Sequence, residues 1–463
     1  MSLSRRDFLS RASALTAGVA ITGSATSLFT ATAATAANAA DPGYGPLVPD
    51  PAGVLALPRG FEYTVVSRAG DPLSAGTGKV PGKQDGTGAF ATAGGVLLVV
   101  NHEQSPGAMY PATASADLTY DPAAVGGTTT LLVDEENVRQ RVYVSLAGTA
   151  VNCAGGTTPW GTWLTCEETE DRAGTKGYAK DHGWVFEVDP YHPENNVNPV
   201  PLRDLGRFAH EACCVDPTDG HVYLTEDANG PHGLFYRFTP NVLPGSVHSL
   251  RNGGTLEALY VPGLANLASV TQPGTTFPVE WKPVPDAYGT TMSVRKQFTY
   301  TDATGAVVVG PGGDITRARK LEGAWWGADG LAYFVSSYAR VSDGSPVPHD
   351  GQVWAYDPRL RQLTLKVRFA VNPDVASDNP DGPDNICYSP YGGLMLAEDG
   401  EGVNHLLGVT PAGQTYAFAR NELNDSEFAG VVFSPNGRTL FANIQTPGIT
   451  FAITGPWARA RTA

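Results

Sequence analysis

The chain has 463 residues, 54 Gly, 36 Pro, 42% apolar and 17% charged side chains, and a formal net charge of −15. A polyanion of this size repels nucleic acid and anionic lipid headgroups, which argues against both as partners. Gly and Pro stay below the level of a disordered chain, yet they are spread too evenly to leave room for a long helical bundle.

Residues Ser4-Arg5-Arg6-Asp7-Phe8-Leu9 match the twin-arginine export pattern. A moderately apolar, Ala/Thr-rich run follows from Leu15 to Phe29, and Ala37-Asn38-Ala39 supplies a small-residue cleavage site. Residues 1–39 are therefore expected to be a signal peptide for the twin-arginine export machinery, and 40–463 a secreted single domain. The Ala/Thr run is too short and too weakly apolar for a membrane span, so none is expected in the mature protein. Without its first forty residues the chain's formal charge deepens to −17.

Five cysteines follow: Cys153, Cys166, Cys213, Cys214 and Cys387. An odd number leaves at least one thiol unpaired. With no C-x-x-C pair, a structural zinc site is not expected.

Along the mature chain one short pattern returns six times: Gly, a run of apolar or β-prone residues, then an oxygen-bearing side chain. The instances are Gly95–Asn101, Gly161–Glu167, Gly220–Glu226, Gly330–Ser336, Gly392–Glu398 and Gly437–Asn443, spaced by 66, 59, 110, 62 and 45 residues. Each follows turn chemistry such as Pro-Asn-Gly or Ala-Asp-Gly. Second strands lie between them, among them Trp184–Asp189, Gly233–Phe238, Gln352–Asp357 and His405–Val409. Strand, turn, strand, repeated about six times without long helices, predicts an all-β, six-bladed β-propeller. A β-sandwich array ranks second. The long spacing marks an insertion, roughly 241–315.

The sixth residue after Gly carries oxygen in every repeat, and the seventh is usually polar: His102, Glu168, Asp227, Ser337 and Asp399. If these strands line a propeller's channel, the pairs Glu167-Glu168, Glu226-Asp227 and Glu398-Asp399 converge on one mouth. Crowded carboxylates repel one another unless protonated or neutralised, and hard dications, calcium above all, are the natural neutralisers.

Segments ahead of the repeats add donors. Asn152-Cys153 opens a Gly-rich loop; Cys153 is either a small buried filler or, beside Glu167 and Glu168, a thiolate ligand for a transition metal such as iron. Phe208-Ala209-His210-Glu211 offers Glu211 and a histidine that is either a ligand or a core imidazole. Lys320-Leu321-Glu322-Gly323 and Asp381-Gly382-Pro383-Asp384 sit at the same place before the next repeats. His-Glu-x-x-His is absent, against an ordinary hydrolytic zinc centre.

Taken together, 152–168, His210-Glu211-Ala212, Leu224–Asp227, Glu322-Gly323, Asp384-Asn385 and Ala397–Gly400 resemble the PhoX-type alkaline phosphatases, most closely the shorter actinobacterial branch, over nearly the whole mature chain. The resemblance implies an exported propeller that hydrolyses small-molecule phosphate esters with an iron–calcium cluster. By motif it makes Cys153, Glu211 and Glu322 iron ligands, with Glu168, Glu226, Asp227, Asp384, Glu398 and Asp399 around the cluster, chiefly on the calcium side. The family's phosphate-binding Arg, two residues before Glu-Gly, is here Lys320, with Arg319 beside it. These two are the candidate catalytic residues, offsetting charge on the phosphoryl oxygens. Two other classes stand beside this reading: a calcium-dependent lactonase or phosphotriesterase, and a non-catalytic calcium-binding propeller.

Overall fold

Short apolar, β-branched runs interrupted by Gly and Asn-Gly turns fold into antiparallel strands, and no α-helix occurs among the described residues. The computed structural model describes residues 42–340, 345 and 347–458. The expected signal peptide, 1–39, lies outside the described residues.

Six sheets form the blades of a β-propeller. Their first strands are Gln84–Thr92, Asn152–Thr157, His210–Val215, Leu321–Trp326, Pro383–Tyr388 and Phe428–Phe433. Each touches the first strand of the next blade, and Phe428–Phe433 touches Gln84–Thr92, so the ring closes. Closure also joins early and late strands by hydrogen bonding. The early strand Glu62–Arg68 completes the sixth blade by pairing with Ile449–Thr454 near the chain's end, which leaves the ring no open seam.

The Gly-led repeats are the second strand of each blade, not the innermost one as expected. The segments ahead of them, which looked like feeders, are the strands that surround the axis. The difference follows from composition: most axial strands mix Gly or Ala with polar residues, so their β signal is weak in sequence.

The 241–315 segment is more than decoration. Gly254–Tyr260 and Glu280–Pro283 extend the third blade, and Thr276–Pro278 pairs with Gln362–Phe369 at the edge of the fourth. Blade faces pack through large buried rings; Phe235 stacks on Phe334 at 4.1 Å, beside Tyr223 and Trp354.

At the axis the residues are small. Gly86, Ala154, Ala212, Gly323 and Asn385 leave a cavity of about 20 Å³, space for about one water. The axis is therefore narrow at this level. A Cβ on Gly86 would lie 2.4 Å from the Cα of Ala154, and one on Gly323 2.7 Å from the Cα of Asn385. We expect Gly86→Ala to destabilise the domain by about 1–3 kcal/mol, read as a lower denaturant midpoint with an unchanged slope.

Candidate metal centre

Every axial strand loses register at the same point. The pairing slips between Gln84 and Thr87, Asn152 and Gly155, His210 and Cys213, Leu321 and Ala324, Pro383 and Ile386, and Ala429 and Val432. Such a bulge leaves a residue outside the ladder and re-aims its side chain. The residues placed there are Asp85, Cys153, Glu211, Glu322, Asp384 and Gly430. Five of six blades thus present an acid or a thiol from one structural position.

These side chains meet. Donor atoms of Cys153, Glu168 and Glu211 lie within 4.8 Å of one another, as do those of Glu211, Glu322 and Asp384, and those of Asp384, Asp399 and Glu427. Glu211 and Asp384 each belong to two triads, so the three form one chain of donors. Asp85 stands at the thiol end, where the Cys153 thiol donates to its Oδ1 at 3.7 Å. Asn101 fixes the bulge beneath by donating to the carbonyls of Cys153 and Ala154 at 3.0 and 2.7 Å.

The residue opposite the start of each bulge has another task. His102, Glu167, Glu226, Ser336, Glu398 and Asn443 pair there, and all six are 0% exposed. Their polar atoms peg loops to blades. Glu226 accepts from the Leu234 N–H at 3.1 Å, the Tyr236 hydroxyl at 2.7 Å and Arg295 at 3.0 Å. Glu398 accepts from the N–H groups of Asp381 and His405, both at 2.7 Å, and bonds the His405 ring. Of the nine ligands expected from sequence, six fall in the triads: Cys153, Glu168, Glu211, Glu322, Asp384 and Asp399. Asp227 faces Glu168 at the same mouth. Glu226 and Glu398 are the two that the structure separates from the cluster, because side chains alternate along a strand.

Alternation also explains what sequence reading missed. In the first blade the stretch from the repeat's Gly95 to the residue opposite the bulge is one residue longer than in the other blades, so its peg is His102 and the next residue, Glu103, takes the place of Glu168 and Asp227. Glu103 joins Asp85 through Gln445, whose amide donates to both at 2.7 and 2.9 Å. Asp85 had a signal in Lys83-Gln84-Asp85-Gly86, which repeats the pattern of Lys320-Leu321-Glu322-Gly323. Glu427 had none.

Lys320 meets the acids directly, 3.2 Å from Glu322 and 3.6 Å from Asp227. Beside Glu322, and against the opposing pull of burial, its ammonium is held above the ordinary lysine range. Arg319 instead lies over the Tyr338 ring, 5.4 Å from its centre. His210 is a core imidazole: it is fully buried, hydrogen-bonds the Gly206 carbonyl at 3.0 Å, and burial lowers its pKa to about 3.

The family model for the alkaline phosphatase PhoX matches residues 42–142 and 135–448. The chain belongs to this family. It is thus a phosphoric ester hydrolase. Among solved structures it is similar to Pseudomonas fluorescens PhoX in complex with vanadate, a transition state analogue, at 20% identity and a TM-score of 0.65, covering 87% of this chain and 96% of that one. A Xanthomonas campestris gluconolactonase is more distant, at 13% identity and a TM-score of 0.36, covering 85% and 100%. Among curated proteins none matches this sequence.

The donor set fits the metals that a PhoX phosphatase implies. Glu211 Oε1 is buried without a hydrogen-bond partner. Burial first, then the neighbouring carboxylates, push Glu168, Glu211 and Asp384 well above the usual range and Asp85 to about 8. Burial likewise raises Glu322 to about 8, with Asp227 adding to it and Lys320 opposing. Cations are what such a group lacks. All five cysteines are free and buried, so the Cys153 thiol is available as a donor.

The pegs give a pH signature independent of metal. The His182 ring is buried between Glu167 at 2.7 Å and Asp121 at 3.3 Å, and only the imidazolium donates from both nitrogens. Burial works against its charge, but the two carboxylates prevail and its pKa is raised. A raised histidine contributes stability fully below about pH 6.5 and loses it as pH rises through the folded value. The unfolding free-energy gap between wild type and His182→Asn should therefore shrink from pH 6 upward; a gap that widens would remove the charged ring. Replacing Glu226 with Gln leaves Arg295 short of a buried partner and should cost about 3 kcal/mol, with bound metal unchanged by elemental analysis. Metal loss in that variant would return Glu226 to the ligand set.

Proposed function

We propose that this PhoX phosphatase works at the acid-lined mouth of the propeller, with an iron–calcium cluster held by the three linked triads, after export by the twin-arginine route. The observation that carries the reading is the composition of the chain of donors. Its first triad contains the thiol of Cys153, a soft ligand suited to iron and wasted on calcium. The other two offer oxygen alone, the chemistry of hard dications. Glu211 and Asp384, each a member of two triads, would hold the group from both sides. In this assignment Cys153, Glu168 and Glu211 face the iron end. Glu322 links it to Asp384, Asp399 and Glu427, with Asp227 and Glu103 flanking.

When bound, such a cluster supplies Lewis acidity to the phosphoryl oxygens. The chain's own residues do the rest. Lys320, carried on a backbone at positive φ and pinned through its carbonyl by the Ser337 N–H at 2.9 Å, places a positive charge where the equatorial oxygens gain negative charge. Lysine gives a point charge and not the two-pronged contact of arginine. Arg319, over Tyr338, serves as support for this segment and not as the phosphate contact. A calcium-only lactonase or a non-catalytic propeller would have no use for a thiol in the donor chain. The N-terminal arginine pair and the Ala-Asn-Ala site support secretion.

Glu211 is the critical test, since it belongs to two triads. Protein produced in a host with twin-arginine export should contain both iron and calcium. Glu211→Gln should lose most of the metal and lower phosphomonoester turnover by at least about a hundredfold. Full turnover of a chromogenic phosphate ester with metal absent would defeat the assignment.

A further inference from the structure

The first and fourth blades stand opposite each other in the six-bladed ring, and they carry the same signature at the same place. Lys83-Gln84-Asp85-Gly86 precedes one axial bulge, and Lys320-Leu321-Glu322-Gly323 the other. In both, the acid is the bulged residue and the glycine lines the axis. In both, the lysine carbonyl accepts a main-chain N–H at 2.9 Å, from Glu103 in one case and Ser337 in the other.

Both lysines also sit at positive φ, 54° for Lys83 and 38° for Lys320. The backbone takes this conformation at four blades, with Lys83, Val151 and Lys320 at three of them and Gly382 at 45° in the fifth blade. Glycine takes it without steric cost and lysine does not. Val151 takes the same conformation at 51° in the second blade, so the position tolerates side chains, and what sets the two lysines apart is the charge they carry beside the acids.

The two ammonium groups come from opposite blades and have different bonded partners, although both act on Asp399. Lys320 is engaged with Asp227 and Glu322, from the third and fourth blades. Lys83 is exposed and donates to the neutral amide oxygen of Gln445, from the sixth blade. Gln445 in turn holds Asp85 and Glu103. The charge of Lys83 is therefore not taken up by a directly bonded carboxylate. Once cations neutralise the acids around it, an exposed ammonium beside them is repelled unless an anion lies between.

We infer that Lys83 forms a second anion subsite on the rim of the mouth, across from Lys320, that takes a further anionic group of the substrate, a phosphate or a carboxylate remote from the scissile ester. The inference rests on the phosphatase reading above. It makes the preferred substrates doubly anionic esters, for which the deep negative charge of the whole protein is otherwise a barrier.

The test uses metal-loaded enzyme and three propyl monophosphates whose far end carries a hydroxyl, a carboxylate or a second phosphate. Wild type should favour the two anionic ends over the hydroxyl. Lys83→Met should lower that preference about tenfold, through KM more than kcat, as expected for loss of one charge-assisted contact. Which anionic end loses more identifies the group the subsite takes. Calorimetric binding of propane-1,3-bisphosphonate against propylphosphonate gives the same comparison without turnover. If wild type hydrolyses none of the esters, the phosphatase reading falls while the binding preference still decides the subsite. An unchanged preference in Lys83→Met, by rate or by binding, overturns the inference. So does loss of metal from that variant, which would assign Lys83 to holding the cluster.

Discussion

Nine carboxylates and a thiol are driven toward one end of the propeller axis, and their mutual repulsion is the constraint the rest of the structure answers. Asp85, Cys153, Glu211, Glu322 and Asp384 arrive there because each axial strand bulges at the same point; Glu103, Glu168, Asp227 and Asp399 arrive from the neighbouring second strands, and Glu427 from the sixth blade. Folding this set without counter-charge raises the affinity of buried members for protons, which is the same free energy that a bound cation would release. Two lysines are too few to neutralise nine acids. The fold therefore supplies a framework rigid enough to hold the acids in place: a closed ring, an axis packed with glycine and alanine, and six buried pegs tying loops to blades.

Those pegs account for a distinction that composition alone hides. Glu167, Glu226 and Glu398 are carboxylates at strand ends, next in sequence to Glu168, Asp227 and Asp399, yet they face the opposite way. Each spends its oxygens on N–H groups, a histidine, a tyrosine or an arginine. In the first and sixth blades neutral His102 and Asn443 do the same work. The position demands hydrogen-bonding capacity with complete burial; charge is incidental to it. The mouth positions demand charge, and only there do acids gather without enough donors to satisfy them.

The architecture was legible because a propeller repeats. Six Gly-led strands at blade-sized spacing were enough for the fold class, and the motifs in register named most of the acids that the fold brings together. Three things were not legible. One extra residue between the repeat's Gly95 and the peg shifted Glu103 out of the expected register. The axial strands, most of them mixing Gly or Ala with polar residues, looked like loops, so their bulges and the equivalence of Asp85 with Glu322 were hidden. Glu427 lies just ahead of a strand whose own bulge position is Gly430, and no local pattern marks it. Six of nine expected ligands reached the triads because the family resemblance was tied to individual motifs. Glu226 and Glu398 did not, because adjacent acids were treated as one unit where a strand separates them.

The charge count changes meaning in this light. A formal charge of −15 describes a protein hostile to anions, but nine of its acids are concentrated within a single mouth. Dications bound there would reverse the sign of the local field, and the field at the mouth governs substrate approach more than the distant surface does. The two lysines then cease to be counter-ions. Lys320 and Lys83 would then form the positive edge of a site whose centre is also positive, both held on backbone at positive φ at opposite blades. A motif shared by two facing blades, Lys-x-acid-Gly, would thus contribute two things at once: an acid to bound metal and, two residues earlier, a cation to an anionic substrate.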